Sequence, residues 1–236
     1  MNIRLIAEGS TKLERFICRW GISFLIGEDI LFDAFGDPGV FLNNCEKYKI
    51  DLSKIKYIVI SHDDWDHIAG LWYVLNKHKE FKVYVCPNSV QDIKERIRSF
   101  GVNVLEADKF LNVRDDVYTT GELKGESEGR IIYEQALAVR SSKGLTVITG
   151  CAHPGILNII GTAEKQFGMP VHCLIGGFHL KDMPPKEVKQ IIVQLKKSKL
   201  EKIVPLHCTG KRSVRLIKEA FGNKCIYLKQ GDILEI

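Results

Sequence analysis

"VISHDDWDHIAG", residues 59–70, decides how the rest of the chain is read. A short apolar run ends in His62, Asp63, Asp64, Asp66 and His67, all within six positions. Isolated charges are costly to desolvate, and carboxylates this close repel one another unless a cation lies among them. His62 and Asp64 stand two apart, so an extended turn points them the same way. Asp66 and His67 follow as the chain enters a helix marked by Ile68, Leu71, Trp72 and Leu75. Two ligand pairs in one turn suit two adjacent metals that share a bridging hydroxide and clamp both oxygens of a displacement.

Outward from this stretch, apolar runs and helical spacings alternate. "ISFLIG" (22–27) and "ILFD" (30–33) flank "GED" as a hairpin. "YIVIS" (57–61) and "KVYVC" (82–86) read as strands, and Val90, Ile93, Ile97 and Phe100 as a helix. The polar stretch 106–130 reads as loop and edge strands, a flexible rim. "IIYEQALAV" (131–139) and "LTVITG" (145–150) read as strands joined by "RSSKG". Ile156, Ile159, Ile160 and Ala163 predict a helix opened by Pro154. "VHCLIGG" (171–177), a helix after Pro184–Pro185, the strand "KIVPL" (202–206) and a helix through Val214, Ile217 and Phe221 follow. "CIYL" and "DILEI" read as closing strands. This pattern predicts one α/β domain over 1–236, with two sheets and helices outside them.

Five of the seven histidines follow strands: His62, His67, His153, His179 and His207. A lone histidine in such a place is usually structural. Five of them, at strand ends that converge on one sheet edge, point to a ligand site. His78, among lysines, and His172, inside a strand, read as structural.

The pattern H-x-[H/D]-x-D-H after a hydrophobic strand resembles the metallo-β-lactamase fold signature. The resemblance continues through "WGISFLI…ILFDAF", "GCAHPGILNII" and "PLHCTG". Together with "EQALAV" and "GGFHL", these motifs resemble the dihydropterin-ribofuranosylaminobenzene-phosphate synthase-like subfamily. The resemblance implies a four-layer αββα sandwich. It implies that His62, Asp64 and His153 hold one divalent metal, that Asp66, His67 and His207 hold the other, and that Asp33 orients ligands from behind them. Asp66 is the ligand least expected to serve structure alone, while Asp63 and Trp65 occupy variable positions facing away.

Two departures bear on the metals. Asp64 stands where most of the superfamily has histidine, which moves the preference from zinc toward manganese or iron, or leaves the first site weak. The region of the superfamily's bridging aspartate reads "IGGFHL", with Gly176 and Gly177. His179 there is a candidate catalytic acid, a phosphate contact or a metal neighbour. Cys151 and Cys208, beside His153 and His207, read as buried thiols rather than ligands, because neighbours in an extended segment point to opposite sides. Thr209, Gly210 and Lys211, with Arg212, open a helix. They either hold a substrate phosphate or form an ordinary helix start.

These features predict a metal-dependent hydrolase with a binuclear site, in which a metal-bound hydroxide attacks a small, phosphorylated substrate. A di-iron oxidoreductase served by a separate flavoprotein and a metal-dependent nuclease are the alternatives. A binding module with a degenerate site is disfavoured, since five of the six ligand positions match. The net charge of +5 is scattered, with one small cluster at Lys196, Lys197 and Lys199. It suits an anionic small molecule and argues against a nucleic-acid surface. The seven cysteines include no Cys-x-x-Cys pair and are odd in number. That argues against a disulfide framework and for a cytoplasmic setting. "MNIRLIAEGS" lacks a signal-peptide core, and no segment reaches the apolar length of a membrane span.

Overall fold

The computed structural model describes residues 1–77 and 79–236, so the expectation for His78 lies outside the described residues. The chain divides into two compact units, one of Met1–Asp108 with Leu228–Ile236 and one of Lys109–Tyr227. It is mixed α/β, with a large sheet and helices in each unit.

The first unit runs β1 (Asn2–Gly9), α1 (Lys12–Phe16), β2 (Gly21–Ile26), β3 (Ile30–Phe32), α2 (Pro38–Lys47), β4 (Tyr57–Val59), α3 (Trp65–Ile68), α4 (Leu71–Leu75), β5 (Lys82–Val85), α5 (Gln91–Ser99) and β6 (Asn103–Glu106). These strands lie side by side in chain order, with β1–β2–β3 antiparallel and β3–β4–β5–β6 parallel. The parallel half needs crossovers, which α2 supplies before β4, α3 and α4 before β5, and α5 before β6. Their apolar faces bury Phe41, Leu71, Val74 and Ile97 against Ile58, Ile60 and Val83. The N-terminal stretch Asn2–Gly9 forms β1.

The single helix expected through Ile68–Leu75 is two short ones. The Gly70 N–H donates to Ala34 O at 3.1 Å, and a Cβ there would stand 2.2 Å from that oxygen. The backbone contact breaks the helix and fixes the turn that carries the acidic cluster.

The second unit runs β7 (Leu111–Arg114), β8 (Val117–Thr119), β9 (Leu123–Ser127), β10 (Arg130–Glu134), β11 (Leu137–Ser141), β12 (Gly144–Thr149), α6 (Ile156–Phe167), β13 (Val171–Gly177), α7 (Pro185–Leu195), β14 (Lys202–Leu206) and α8 (Lys211–Phe221). Its sheet is ordered β14–β13–β12–β11–β8–β7, while β9 and β10 form a separate ribbon. The pairs β12–β13 and β13–β14 are parallel, with α6 and α7 as their crossovers. Ile156, Ile159, Ile160, Val188, Ile192 and Ile217 cover this sheet. Pro205 is tolerated because β14 is an edge strand.

Three local expectations change here. "IIYEQALAV" is two strands in different sheets, split at Gln135–Ala136, where the Ala136 N–H donates to Thr120 Oγ1. Pro154 does not open α6, because Gly155 at φ 91 caps it and the helix starts at Ile156. "CIYL" makes one bridge, Ile203 to Cys225, rather than a strand. The chain ends in β15 (Ile233–Glu235), which pairs antiparallel with β1 and extends the first sheet.

No disulfide joins any of the seven cysteines among the described residues, and all but Cys18 are buried. Burial pushes the Cys45 and Cys173 thiols up to about 12. The thiolate is the reactive form. Iodoacetamide on the native protein is therefore expected to label Cys18 well ahead of Cys45 and Cys173, as peptide mapping would show. Comparable labelling of all three would contradict this packing. Among the described residues no helix is long and apolar enough to cross a membrane.

Candidate functional site

In the first unit the site is built from the turn after β4, at the C-terminal end of the parallel strands. Asp33, just past β3, is fully buried and adopts φ 55. Its Oδ1 accepts the Ser61 N–H at 2.7 Å, and its Oδ2 accepts the Ser61 hydroxyl at 2.7 Å and faces His67 Nδ1 at 2.6 Å. The carboxylate thus accepts from His67 Nδ1 and turns Nε2 to the opposite side of the ring. Ser61 has a single hydroxyl proton, already given to Asp33, so its oxygen accepts from His62 Nδ1 at 2.9 Å. His62 then also presents Nε2. One aspartate, reached directly and through one serine, sets both imidazoles.

The exposed nitrogens face the acidic side chains. His67 Nε2 lies 3.3 Å from Asp66 Oδ2, and His62 Nε2 lies 3.7 Å from Asp64 Oδ2. The two rings are 4.1 Å apart. Asp64 occupies the N-cap position of α3 but makes no side-chain cap bond, so its carboxylate is not spent on the helix. Asp63 is spent elsewhere: its Oδ2 accepts the Val90 N–H at 2.5 Å. Trp65 lines an apolar hollow of about 300 Å³ with Ile68, Trp72, Ile93 and Arg96.

Burial raises the Asp33 pKa, against the pull of His67 and Ser61. Burial alone would lower His67, but the charges of Asp66 and Asp33 outweigh it and hold His67 well above its ordinary value. The cluster draws in positive charge, a proton or a metal. Gly21, at φ +116, seats the Asp66 backbone, for a Cβ there would stand 1.9 Å from Asp66 O. Gly21→Ala is expected to destabilise the protein by about 1–3 kcal/mol through overpacking. It should also weaken metal retention by moving Asp66, as urea unfolding and metal content would show.

In the second unit, the turns after β12, β13 and β14 leave the same edge of three adjacent parallel strands. They carry Cys151 and His153, His179, and His207 with Cys208. The organising group is Glu134, which is fully buried at the end of β10. Its Oε1 accepts the Cys151 and Ala152 N–H groups at 2.9 and 2.8 Å, and its Oε2 accepts the His153 N–H at 2.8 Å and faces His153 Nδ1 at 2.8 Å. His153 therefore presents Nε2, by the same device as His67. Glu134 was given no role from sequence, although it opens the motif "EQALAV". The available signal was a lone acid inside an apolar run.

His179 adopts φ 50, its ring lies 4.4 Å from that of His153, and its Nε2 is 3.4 Å from Ser127 Oγ. Partial desolvation lowers its pKa, but Cys208 and Glu134 more than offset this and hold it above the ordinary value. His207 is buried at φ 48. Burial would raise the Cys208 thiol, yet Cys151, His207 and His179 together hold it well below its ordinary value. His172 sits half-buried within β13, as its structural reading expected.

The helix start expected to hold a phosphate is committed in part to the fold. Thr209 Oγ1 is buried and accepts the Phe178 N–H at 3.0 Å. Gly210, at φ +76, packs against Lys181, where a Cβ would stand 2.8 Å from its Cα. Arg212 donates to Met183 O at 2.6 Å, while Lys211 is exposed.

A model of the beta-lactamase superfamily domain matches residues 28–115. Over 93% of its length the chain is 27% identical to the 7,8-dihydropterin-6-methyl-4-(beta-D-ribofuranosyl)-aminobenzene-5'-phosphate synthase of Methanocaldococcus jannaschii, of which it covers 91%. The crystal structure of Tm1679, a metal-dependent hydrolase of the beta-lactamase superfamily, is similar over 100% of this chain and 99% of that one, with a TM-score of 0.81 and 26% identity. The short form of human tRNase Z shares the fold at a TM-score of 0.64 and 14% identity, over 100% of this chain and 99% of that one.

Proposed function

We propose that this chain, which is similar over its whole length to a metal-dependent hydrolase of the beta-lactamase superfamily, is a hydrolase with a binuclear metal centre acting on a small phosphorylated molecule. Its similarity to a metal-dependent hydrolase supports a divalent metal as the cofactor. One observation carries the reading: in each unit a buried carboxylate, Asp33 or Glu134, holds a histidine by Nδ1 and turns Nε2 outward. A histidine in the core of a fold needs no such arrangement. A histidine that ligates a metal does. The donors, imidazole nitrogen and carboxylate oxygen, fit zinc, manganese or iron, and Asp64 favours the harder of these.

The metal donors assigned in the first unit are His62, Asp64, Asp66 and His67, and those in the second are His153 and His207. When bound, such metals lower the pKa of a coordinated water and stabilise charge on the reacting oxygens. The remaining work falls to this chain's own groups. Asp33 and Glu134 keep the imidazoles in one tautomer. His179 carries a proton that it can give to a departing oxygen. Lys211 offers a positive charge to the substrate phosphate. The phosphorylated substrate class is suggested by the printed name of the methanogen relative, and the net charge suits an anion. Cysteines free of disulfides among the described residues suit a cytoplasmic setting.

The test is a panel of phosphomonoester, phosphodiester and thioester substrates. Protein would be assayed as purified, after chelation, and after restoring manganese, zinc or iron. Phosphoester hydrolysis that is lost on chelation and restored by metal supports the reading. Turnover indifferent to chelation would exclude it.

A further inference from the structure

The space where the superfamily carries a bridging carboxylate is closed in this chain. Gly176 lies at φ +124, and a Cβ there would stand 2.1 Å from Thr149 O. A Cβ on Gly177 would stand 2.3 Å from Gly150 O and 2.6 Å from Cys208 Sγ. No side chain fits at either glycine, and beside Gly177 the volume is held by a thiol.

That thiol has company. Cys151 Sγ, Cys208 Sγ and a ring nitrogen of His179 all lie within 4.8 Å of one another. The three come from the turns after β12, β14 and β13, which are neighbouring parallel strands of the second unit. Cys208 Sγ also approaches Cys151 O at 3.5 Å. The chain reaches this arrangement through left-handed backbone at three non-glycine residues, Ala152 (φ 64), His179 (φ 50) and His207 (φ 48). Each such residue costs about 1–3 kcal/mol, and strain of this kind persists where the surrounding structure enforces it, commonly at functional sites. A packed core does not require three strained turns to bring two sulfurs and an imidazole together.

We propose that Cys151, Cys208 and His179 form a sulfur-rich site for a borderline or soft divalent cation of the zinc class. Two thiolates and one imidazole are the donors such a cation prefers, and they leave a fourth tetrahedral position open. On binding, each thiol releases its proton to solvent. The inference goes beyond the proposed six-ligand centre, because it adds two sulfurs to the donors, and with the cation bound it makes His179 a ligand in place of an acid. Both cysteines are the buried thiols that the sequence predicts, and the proposal gives them a further role. Sulfur, in place of a carboxylate, then offsets part of the hardness that Asp64 confers.

The experiment is a cobalt(II) titration of the chelated full-length chain, kept reduced, in a Cys18→Ser background so that the exposed thiol contributes nothing. The expected result is a near-ultraviolet thiolate-to-cobalt charge-transfer band beside visible ligand-field bands. Cys151→Ser with Cys208→Ser should abolish the charge-transfer band, and His179→Ala should weaken cobalt binding there at least about tenfold. Asp66→Ala should keep the charge-transfer band while losing ligand-field intensity that belongs to the six-ligand centre. Ligand-field bands without charge transfer in the unsubstituted site would overturn this proposal and leave that centre standing. A charge-transfer band that survives the double substitution would overturn it too. Should the double variant not fold, the spectrum of the parent protein still decides.

Discussion

Asp66→Ala is expected to lose most of its bound divalent metal and most of its hydrolytic activity while keeping its fold. The side chain lies beside His67 Nε2 and is nearly buried, yet it stands on the short helix α3 and not in the apolar core. Gly21 packs against the Asp66 backbone, which the substitution leaves in place. Removing one of two carboxylates from an acidic cluster also relieves repulsion in the metal-free state. Loss of an outer-shell partner alone weakens metal sites by about 10–100-fold, so loss of a ligand should reach at least the upper end. Thermal unfolding reads the same effect. A metal at 1,000 times its Kd stabilises the native state by about 4 kcal/mol, and that increment should vanish in Asp66→Ala while circular dichroism stays unchanged. Retention of parental metal content and activity would remove Asp66 from the ligand set.

Glu134→Ala carries the largest expected loss of stability. The carboxylate takes three backbone N–H groups and His153 Nδ1 in a fully buried position. Each orphaned buried donor costs about 1–3 kcal/mol, with water entering the vacated space recovering part of it. A net loss of about 3–5 kcal/mol follows, the range seen when one partner of a buried charged pair is removed. For a chain of this size, that corresponds to a fall in melting temperature of roughly 6–20 °C. Glu134→Gln keeps one acceptor oxygen but aims an NH2 at donors, so it should be less destabilising and still weaken metal binding through His153. Urea denaturation of both variants checks the order. A loss below about 1 kcal/mol in Glu134→Ala would show that other groups satisfy the turn after β12.

The parts of the structure legible in the sequence share a physical cause. "HDDWDH" is an electrostatic liability in any fold without a cation, so its reading did not depend on tertiary contacts. The strands β5, β13 and β14 and the helices α5, α7 and α8 follow from apolar runs and helical spacing, which are local signals. The misreadings arise where a distant group overrides local preference. Gly70 meets Ala34 O and breaks a helix that the spacing of Ile68, Leu71 and Leu75 supports. Residues 131–139 are uniformly β-forming, and the split at Gln135–Ala136 comes from pairing partners in two different sheets. Glu134 looks like one polar residue in a strand. Its role appears only when the turn after β12, 17 to 19 positions on, delivers three N–H groups to it. Cys151 and Cys208 are buried thiols, as alternation in the extended chain predicts, and the left-handed turns at Ala152 and His207 set which way they face. Asp33 was placed by resemblance, and the structure supplies its physical task of setting His67 directly and His62 through Ser61.

The most direct measurement of the central claim is elemental analysis of the protein purified without added metal, with the same analysis after exposure to manganese, zinc or iron and removal of the excess. A binuclear centre predicts tightly held divalent metal approaching two ions per chain beyond any held by the Cys151–Cys208 pair, and a matching loss in Asp66→Ala. A folded protein that contains no metal and takes none up would contradict it.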